Sequence, residues 1–291
     1  MQIIAVQGGK GGILKTGTAE LISSWLESKS ISWQGADTDQ ENKTFYAVHD
    51  VDKRVNRFDV YDQTAGRLVV DQVNALVNDI DRARRENVSA YVIDQGAGQG
   101  NVLRGAFAET GLLDEIRAGA IQLTIVFVTV NTDAALSTLL ANLETTFADV
   151  SGVEWVIVEN EFKGPLGEVF NKNESLAAAV AQRRARFVKV PLVPDEAWPL
   201  TTWENSGKTL TEFVASGPYA ERGRLRTWML AVHADLDRVA DVLGERGNLA
   251  PVPASAQRPV PIAARTSGSK SRSRANDRVE TAVVEPMPVE S

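Results

Sequence analysis

The strongest constraint on the fold is a regular alternation of short apolar runs with helix-forming stretches over roughly the first 190 residues. Several runs are continuously apolar, as expected of strands that helices cover on both faces. Alternating strands and helices of this kind build a doubly wound α/β domain with a mostly parallel sheet. Strands are predicted at 3–6, 33–36, 58–61, 90–93, 123–130, 155–158 and 187–190, and helices at 16–29, 65–85, 133–147 and 174–186.

The composition divides the chain near Asn248. Residues 249–291 contain no aromatic residue but hold six of the 11 prolines, and they include a basic stretch from Arg258 to Arg278. Such a segment cannot bury enough apolar surface to offset its ordering entropy. We predict one folded domain over 1–248, closed by a helix with apolar residues from Leu225 to Leu243, and a disordered Pro-, Ser- and Arg-rich tail over 249–291. A membrane or partner helix at 225–243 is the alternative.

Charge and cysteine content exclude several functions. The 31 Lys and Arg residues against 38 Asp and Glu residues give a net charge of -7, so DNA contact would need a local patch. The absence of cysteine excludes disulfides, thiolate zinc sites and cysteine-ligated iron–sulfur clusters. There is no secretory leader pattern at the start and no apolar stretch of about 20 residues, so a cytoplasmic protein is expected.

A glycine-rich loop directly follows the first predicted strand and opens the first predicted helix. Its glycines let successive backbone N–H groups turn around an anion, and the helix N-terminus adds partial positive charge. Lys15 is expected to reach the β- and γ-phosphates, and the Thr16 hydroxyl to ligate Mg²⁺. The predicted loop residues are Gly9, Lys10, Gly11, Gly12, Ile13, Leu14, Lys15, Thr16 and Gly17.

The pattern Lys-Gly-Gly-x-x-Lys-Thr resembles the deviant Walker motif of the ParA/MinD family of dimerising ATPases. The resemblance implies that Lys10 crosses the interface of an ATP-bound homodimer and neutralises charge on the partner's phosphates. A surface lysine paired with a nearby carboxylate is the alternative. Leu14 departs from the plain P-loop, which has glycine there, and its side chain must point away from the phosphates.

Two acidic motifs follow later predicted strands. The segment Asp37-Thr38-Asp39-Gln40 is similar to the family's first switch, which implies that Asp39 polarises the attacking water; an Asx turn is the alternative. Gln40 replaces the family's usual proline. Asp94 ends an apolar strand, where the resemblance implies a Walker B carboxylate that holds a water of the Mg²⁺ shell. Thr16, Asp39 and Asp94 are therefore the predicted Mg²⁺-site residues, and Lys10, Lys15 and Asp39 the predicted catalytic residues.

The resemblance also implies where the adenine of ATP lies. Asn160 follows the strand at 155–158, where an asparagine of the family reads the base edge; an ordinary turn asparagine is the alternative. Pro194 and Asp195 resemble the family's loop beside the base. Mg²⁺ and ATP are thus the expected cofactors, with weak hydrolysis of ATP to ADP and phosphate, although Leu14 and Gln40 leave a non-hydrolysing nucleotide-binding adaptor open.

Local strings separate the branches of this family. The lack of cysteine argues against the cluster-carrying and arsenite-pump branches, and the Pro-rich tail against a MinD-type membrane helix. Asp37-Thr38-Asp39 with Asn42, Thr44 and Phe45 resembles TraL-type conjugal transfer and mobilisation proteins, as does Asp94-Gln95-Gly96-Ala97. A conjugal transfer or mobilisation ATPase is the first expectation, and a plasmid or chromosome partition ATPase is the alternative.

The expected partners follow from these two settings. A second copy of the chain is expected, together with a relaxase or transfer protein, or a centromere-binding protein in the partition setting. Non-specific DNA is a further candidate, bound by the tail or by the basic run Arg183, Arg184, Arg186 and Lys189, for which a solvated helix end is the alternative. No membrane partner is expected.

Overall fold

The computed structural model describes residues 1–9, 11–193 and 202–245, so Lys10, Pro194, Asp195 and the predicted tail 249–291 lie outside the described residues. Seven strands form one sheet in which every neighbouring pair is parallel, in the order β3-β2-β6-β1-β7-β8-β9. A separate antiparallel hairpin consists of β4 and β5. The strands are β1 (Gln2–Gly8), β2 (Trp33–Asp37), β3 (Val55–Arg57), β4 (Tyr61–Asp62), β5 (Arg67–Leu68), β6 (Ala90–Asp94), β7 (Gln122–Val130), β8 (Val153–Asn160) and β9 (Arg186–Val190).

Helices cover both faces of the sheet, which confirms the predicted doubly wound α/β fold. None of the helices in the described ranges has the length and apolar character needed to cross a membrane. The helices are α1 (Lys15–Ser28), α2 (Thr44–Val48), α3 (Val70–Arg85), α4 (Gly100–Glu109), α5 (Leu112–Arg117), α6 (Asp133–Thr145), α7 (Gly167–Lys172), α8 (Glu174–Arg183), α9 (Leu210–Ser216) and α10 (Tyr219–Leu236).

One predicted strand was wrong. Residues 58–60 of the apolar run lie between β3 and β4, and Phe58 and Val60 are buried in the core without belonging to a strand, while Tyr61 begins the hairpin strand β4. The predicted helix at 65–85 begins only at Val70, because residues 67–68 pair in the hairpin. The other six predicted strands and three predicted helices match observed elements to within a few residues.

The core has two layers, one on each face of the sheet. One layer contains apolar side chains of α3, α4, α5, α6 and α8, and the other contains those of α1, α2, α9 and α10. The predicted closing helix lies in the second layer, where Leu225, Trp228 and Leu236 of α10 are buried, so its predicted packing on the core is confirmed. Residues Asp237–Val242 continue it as a 3₁₀ helix.

Helix α1 is unusually well covered for a helix in an outer layer. Every residue from Gly17 to Leu26 is buried, because α9 and α10 pack over the side that would otherwise meet water. Its buried polar side chains need partners. Ser24 donates to the Leu21 carbonyl at 2.9 Å and lies 2.9 Å from Nε2 of His233, while Glu20 contacts His49.

The strand register aligns the ends of the central strands. Val6 of β1 and Asp37 of β2 both pair with Asp94 of β6, so β2 and β6 end side by side and β1 ends two residues further on. The helix after β1 packs on one face of the sheet and the helix after β6 on the other. Connections that leave to opposite faces open a crevice at the carboxyl edge, which is where such sheets bind ligands.

Gly35 in the middle of β2 provides a test of this close packing. A Cβ at Gly35 would lie 2.5 Å from the backbone oxygen of Val92, which cannot move aside. We expect Gly35→Ala to lower the free energy of unfolding by about 1–3 kcal/mol in urea denaturation, the usual cost of overpacking. The matched control is Gly223→Ala in α10, where a Cβ meets open space. The control should stabilise the protein by about 0.5–1 kcal/mol through helix propensity, and equal effects of the two variants would contradict the prediction.

Candidate functional site

The glycine-rich loop lies at the carboxyl end of β1, in the crevice. A Cβ at Gly11 or Gly12 would meet nothing within 4 Å, so this part of the loop backbone is open to a ligand. Gly9, in contrast, packs directly on α6, where a Cβ would lie 2.1 Å from Thr138. Asn160 holds the far side of the loop by donating its side-chain amide to the Ile13 carbonyl at 3.2 Å. The loop is therefore fixed at Gly9 and Ile13 and accessible at Gly11 and Gly12.

Leu14 precedes α1 in a left-handed backbone conformation, with φ 71° and ψ 35°. Glycine adopts this conformation freely, whereas other residues adopt it at a cost. The Leu14 side chain lies over Gly17, and a Cβ added at Gly17 would lie 2.5 Å from the nearest side-chain carbon of Leu14. This contact accounts for the small residue at position 17, three residues into the helix.

Lys15 and Thr16, the first residues of α1, face carboxylates of the neighbouring strand ends. Nζ of Lys15 is 3.8 Å from Oδ2 of Asp39, and both side chains are 7% exposed. Oγ1 of Thr16 donates to Oδ2 of Asp94 at 2.7 Å, and the Asn42 side chain donates to Thr16 at 3.3 Å. The structure thus brings together four residues that the sequence assigned to the site: Lys15, Thr16, Asp39 and Asp94.

Asp94 is fully buried at the end of β6. Burial raises the pKa of its carboxyl well above the usual range, the charge of Asp37 raises it further, and the Thr16 hydrogen bond and the charge of Lys15 oppose the shift. Among the described residues, Oδ1 of Asp94 has no hydrogen-bond partner. A buried carboxylate oxygen of this kind is unfavourable by itself and calls for a cation or a bound water.

Asp37 supports the loop that follows β2. Its two carboxylate oxygens accept the backbone N–H groups of Asp39 and Tyr46, each at 3.0 Å. Burial raises the pKa of Asp37 to about 6 despite these hydrogen bonds. Asp39 in turn accepts the backbone N–H groups of Glu41 and Asn42 through Oδ1, which is the Asx turn considered from the sequence, while Oδ2 faces Lys15.

The oxygen atoms of Thr16 and Asp94 are of the kind that Mg²⁺ binds, since this ion prefers oxygen ligands and keeps several waters. The described residues form no cluster of three or more His, Cys, Asp or Glu side chains, so they provide no all-protein cage. The Thr16 hydroxyl contacts one carboxylate oxygen of Asp94, and the other has no partner among the described residues. These residues fit a magnesium ion that also takes ligands from a bound phosphate and from water.

Beside the loop, Asn160 borders an apolar cavity of about 310 Å³. The side-chain oxygen of Asn160 also accepts the backbone N–H of Phe162 at 3.1 Å, so the amide holds the loop backbone on both sides. Its oxygen and its nitrogen can each form one more hydrogen bond. Trp228 of α10 donates to the Pro191 carbonyl at 2.8 Å and so fixes one wall. Sequence patterns gave no signal for this wall, because Pro191 and Trp228 lie far apart along the chain. The cavity is lined by Leu14, Phe162, Val190, Leu192 and Trp228, among others.

The basic run after α8 is largely engaged in contacts within the chain. The Arg183 guanidinium donates to the carbonyl groups of Leu143 and Ala148, at 2.8 and 3.2 Å. Arg186 pairs with Asp241, and Lys189 lies 3.7 Å from Glu161. This geometry favours the solvated helix end over the DNA patch that the run suggests in the sequence.

No protein-family profile and no curated protein matches the chain. The septum site-determining protein MinD of Pyrococcus horikoshii, solved with Mg-ADP, matches 84% of this chain and 100% of its own with a TM-score of 0.50 and 15% identity. Aquifex aeolicus MinD matches 82% and 97%, with a TM-score of 0.47 and 14% identity. A Borrelia burgdorferi plasmid partition protein matches 81% and 98%, with a TM-score of 0.43 and 12% identity. At these identities the likeness concerns the fold alone, and the chain shares its fold with the Pyrococcus protein.

The left-handed conformation of Leu14 can be tested with two substitutions. Leu14→Ala removes the side chain but keeps the strained conformation, whereas Leu14→Gly removes both. We expect the Gly variant to unfold with a free energy about 1 kcal/mol higher than that of the Ala variant in urea denaturation, because only glycine is unstrained at this φ. An Ala variant as stable as the Gly variant would show that the backbone at this position carries no strain.

The buried carboxylate of Asp94 makes a second prediction, for the ligand-free protein. Asp94→Asn keeps an oxygen that can accept from Thr16 and removes the charge, so we expect it to raise the free energy of unfolding on the order of 1 kcal/mol at pH 7. The pKa of Asp94 is raised on folding, so its contribution to stability falls as pH rises above the ordinary value of 3.8. The gain should therefore be larger at pH 8 than at pH 5.

The control is Asp114→Asn, at a carboxylate that is 80% exposed, which should change the free energy of unfolding by less than about 0.5 kcal/mol at either pH. If Asp94→Asn destabilises the ligand-free protein at pH 8, the carboxylate of Asp94 is satisfied within the chain and the prediction is wrong.

Proposed function

We propose that the chain is a Mg²⁺-dependent ATP-binding switch protein of the ParA/MinD type. The observation that carries the proposal is the hydrogen bond from Thr16, which follows the open glycine loop, to Asp94, whose other buried carboxylate oxygen has no partner among the described residues. Buried Lys15 lies at the same edge of the sheet and faces Asp39. A cation, a lysine and free backbone N–H groups around one opening are the groups that a polyphosphate needs.

Each residue at this edge has a distinct proposed role. Lys15 would leave Asp39 for the phosphates, which offer it a stronger charge-assisted contact. Thr16 and Asp94 would hold Mg²⁺, Asp94 through a water, and the ion would neutralise charge on the phosphate oxygens. Asp39, released from Lys15, would orient the attacking water through Oδ2.

The apolar cavity beside Asn160 supports adenine as the base. Its volume of about 310 Å³ and its lining by Leu14, Phe162 and Trp228 suit a flat heterocycle. The remaining hydrogen-bonding capacity of Asn160 would face the base edge. Pro194 and Asp195, which the sequence also assigns to the base, remain part of the proposal.

The dimer and the biological setting rest on sequence resemblance. Lys10 would complete the phosphate site of a second copy of the chain and make dimerisation depend on ATP. The strings around Asp37 and Asp94 favour conjugal transfer or mobilisation, with a relaxase or transfer protein as partner. Plasmid or chromosome partition, with a centromere-binding protein, is the alternative setting for the same switch.

A second candidate, a nucleotide-binding adaptor that does not hydrolyse ATP, is favoured by the contacts of Asp39. Its Oδ1 accepts two backbone N–H groups and its Oδ2 faces Lys15, so both oxygens are already engaged by groups of the chain. Phosphate release with saturating MgATP distinguishes the two functions. Turnover that is lost in Asp39→Asn supports the ATPase, whereas tight binding without turnover supports the adaptor.

The test of the proposed function is binding of MgATP and the molar mass in solution. Lys15→Ala should weaken binding about 10–100-fold, because a hydrogen bond to a charged group contributes about 1.5–3 kcal/mol. Light scattering should show dimers of the wild type with MgATP, and monomers of Lys15→Ala and Lys10→Ala.

The matched control is Lys29→Ala, just beyond the other end of α1, where the lysine pairs with Asp237. It should bind and dimerise as the wild type does. A wild type that binds MgATP no more tightly than Lys15→Ala would contradict the proposed function, and a wild type that binds but stays monomeric would contradict the dimer alone.

A further inference from the structure

His49 is a buried histidine that the proposed function does not use. It follows α2, and its side chain is 1% exposed. Its Nε2 lies 2.8 Å from Oε1 of Glu20, and its Nδ1 lies 3.2 Å from Oδ2 of Asp52. The rings of Trp33 and Phe45 meet the imidazole edge to face, with centroids at 5.1 and 5.4 Å. A polar ring in such surroundings is held by its hydrogen bonds.

The two partners of His49 determine its protonation. An ionised carboxylate only accepts hydrogen bonds, and a neutral imidazole carries one N–H. Both contacts therefore form together only when His49 carries a proton on each nitrogen. Burial by itself lowers the pKa of His49, but the hydrogen bonds and charges of Glu20 and Asp52 outweigh burial and raise it above the ordinary value of 6.5.

Glu20 connects this contact to the rest of the layer. Its second oxygen accepts the backbone N–H of Leu210, the first residue of α9, at 3.2 Å. Glu20 is 1% exposed, so it depends on its partners to remain charged in the interior. The imidazolium of His49 thus fastens the end of α2 to α1, the helix that begins with Lys15, and to α9.

A chain of hydrogen bonds leads from α2 to the candidate site. The backbone N–H of Tyr46, within α2, donates to Oδ2 of Asp37 at 3.0 Å. Oδ1 of Asp37 accepts the backbone N–H of Asp39 at 3.0 Å, and Asp39 faces Lys15. Helix α2 has five residues, too few to hold a position without tertiary contacts. Whatever fixes α2 against α1 therefore also fixes Asp39.

We infer that His49, in its imidazolium form, is a positioning residue that holds α2 against α1 and thereby keeps Asp39 in place beside the phosphate loop. The inference deepens the proposed function, on which its consequence for ATP turnover rests. The geometry of the His49 contacts stands independently of that function. His49 touches none of the proposed phosphate or magnesium groups, so it acts only through α2 and Asp37.

Other charged groups surround His49 and bear on its titration. Arg54 lies over the Trp33 ring at 5.5 Å and 3.5 Å from Asp52, so it competes with His49 for that carboxylate. Asp50 and Lys53 pair with each other on the same turn. Glu27 of α1 and Glu212 of α9 line the adjoining groove together with Asp52 and Arg54. The carboxylates outnumber the cations, which favours the charged imidazole.

The chain has only two histidines, so their protonation can be followed directly. His233 is the matched control, because it is also buried against α1, but burial lowers its pKa and its Nε2 contacts the Ser24 hydroxyl. In side-chain NMR spectra, one imidazole should titrate above pH 6.5 and be missing in His49→Gln. The other should titrate below pH 6.5 and be missing in His233→Gln. An imidazole of His49 that titrates at or below 6.5 would overturn the inference.

The positioning role is tested by amide hydrogen exchange of residues 38–48 without nucleotide. His49→Gln should speed exchange of the Tyr46 and Asp39 amides about tenfold, because a hydrogen bond to a charged group is lost. A raised pKa means that the contacts of the His49 imidazolium are complete at low pH and are lost as pH rises through the folded-state pKa. Wild-type exchange of residues 38–48 should therefore speed up over that pH range by more than exchange in His49→Gln, which reports the general effect of pH. Exchange unchanged by His49→Gln would overturn the inference.

Glu20→Gln is the second variant, and it keeps the histidine. Its amide removes the charge that favours the imidazolium, so the His49 resonance should titrate at lower pH than in the wild type. An unchanged titration would overturn the inference, even if His49→Gln does not fold.

ATP turnover then connects the inference to the proposed function. His49→Gln should lower kcat about tenfold and change the affinity for MgATP by less than twofold. The hydrogen bonds of the His49 imidazolium hold Asp39 in place and make no contact with the phosphates. His233→Gln should leave both quantities near wild type. A wild type that does not bind MgATP contradicts the proposed function alone, because the NMR and exchange results do not require nucleotide.

Discussion

The parallel register of the central strands is the constraint on which the rest of the structure depends. It pairs Val6 and Asp37 with the same residue, Asp94, so that the strand ends that carry chemistry lie next to one another. A shift of one residue in either pairing would direct the side chains to the opposite face of the sheet. The glycine loop and the carboxylates at the strand ends therefore meet because hydrophobic burial fixes the register.

This convergence places like charges close together in the interior. Three carboxyl groups, Asp37, Asp39 and Asp94, are buried within one edge, and burial raises the pKa of both Asp37 and Asp94. The chain offsets this with Lys15, with the Thr16 hydroxyl and with backbone N–H groups of the loop after β2. One Asp94 oxygen remains without a partner among the described residues. Among the described residues, this arrangement of charge supports the proposed Mg²⁺ site.

The sequence predicted the sheet well, and the structure brings four of the predicted site residues together, since buried strands and glycine loops leave strong local patterns. It failed at 58–61, because an apolar run reports burial and not strand pairing, and Phe58 and Val60 fill the core without joining the sheet. The cavity wall at Trp228 and the contacts of His49 left no signal. Each joins residues distant along the chain, such as Glu20 and His49, and a single histidine has no periodicity from which its partner can be inferred.

The near-complete coverage of α1 has a mechanical consequence. Protein interiors are packed as densely as organic crystals. Helix α1 is enclosed from Gly17 to Leu26, so it cannot tilt or slide without opening voids against the elements packed around it. Helix α1 is therefore held in a fixed position. Rearrangement around a ligand at the proposed site would fall to the shorter segments that pack against α1.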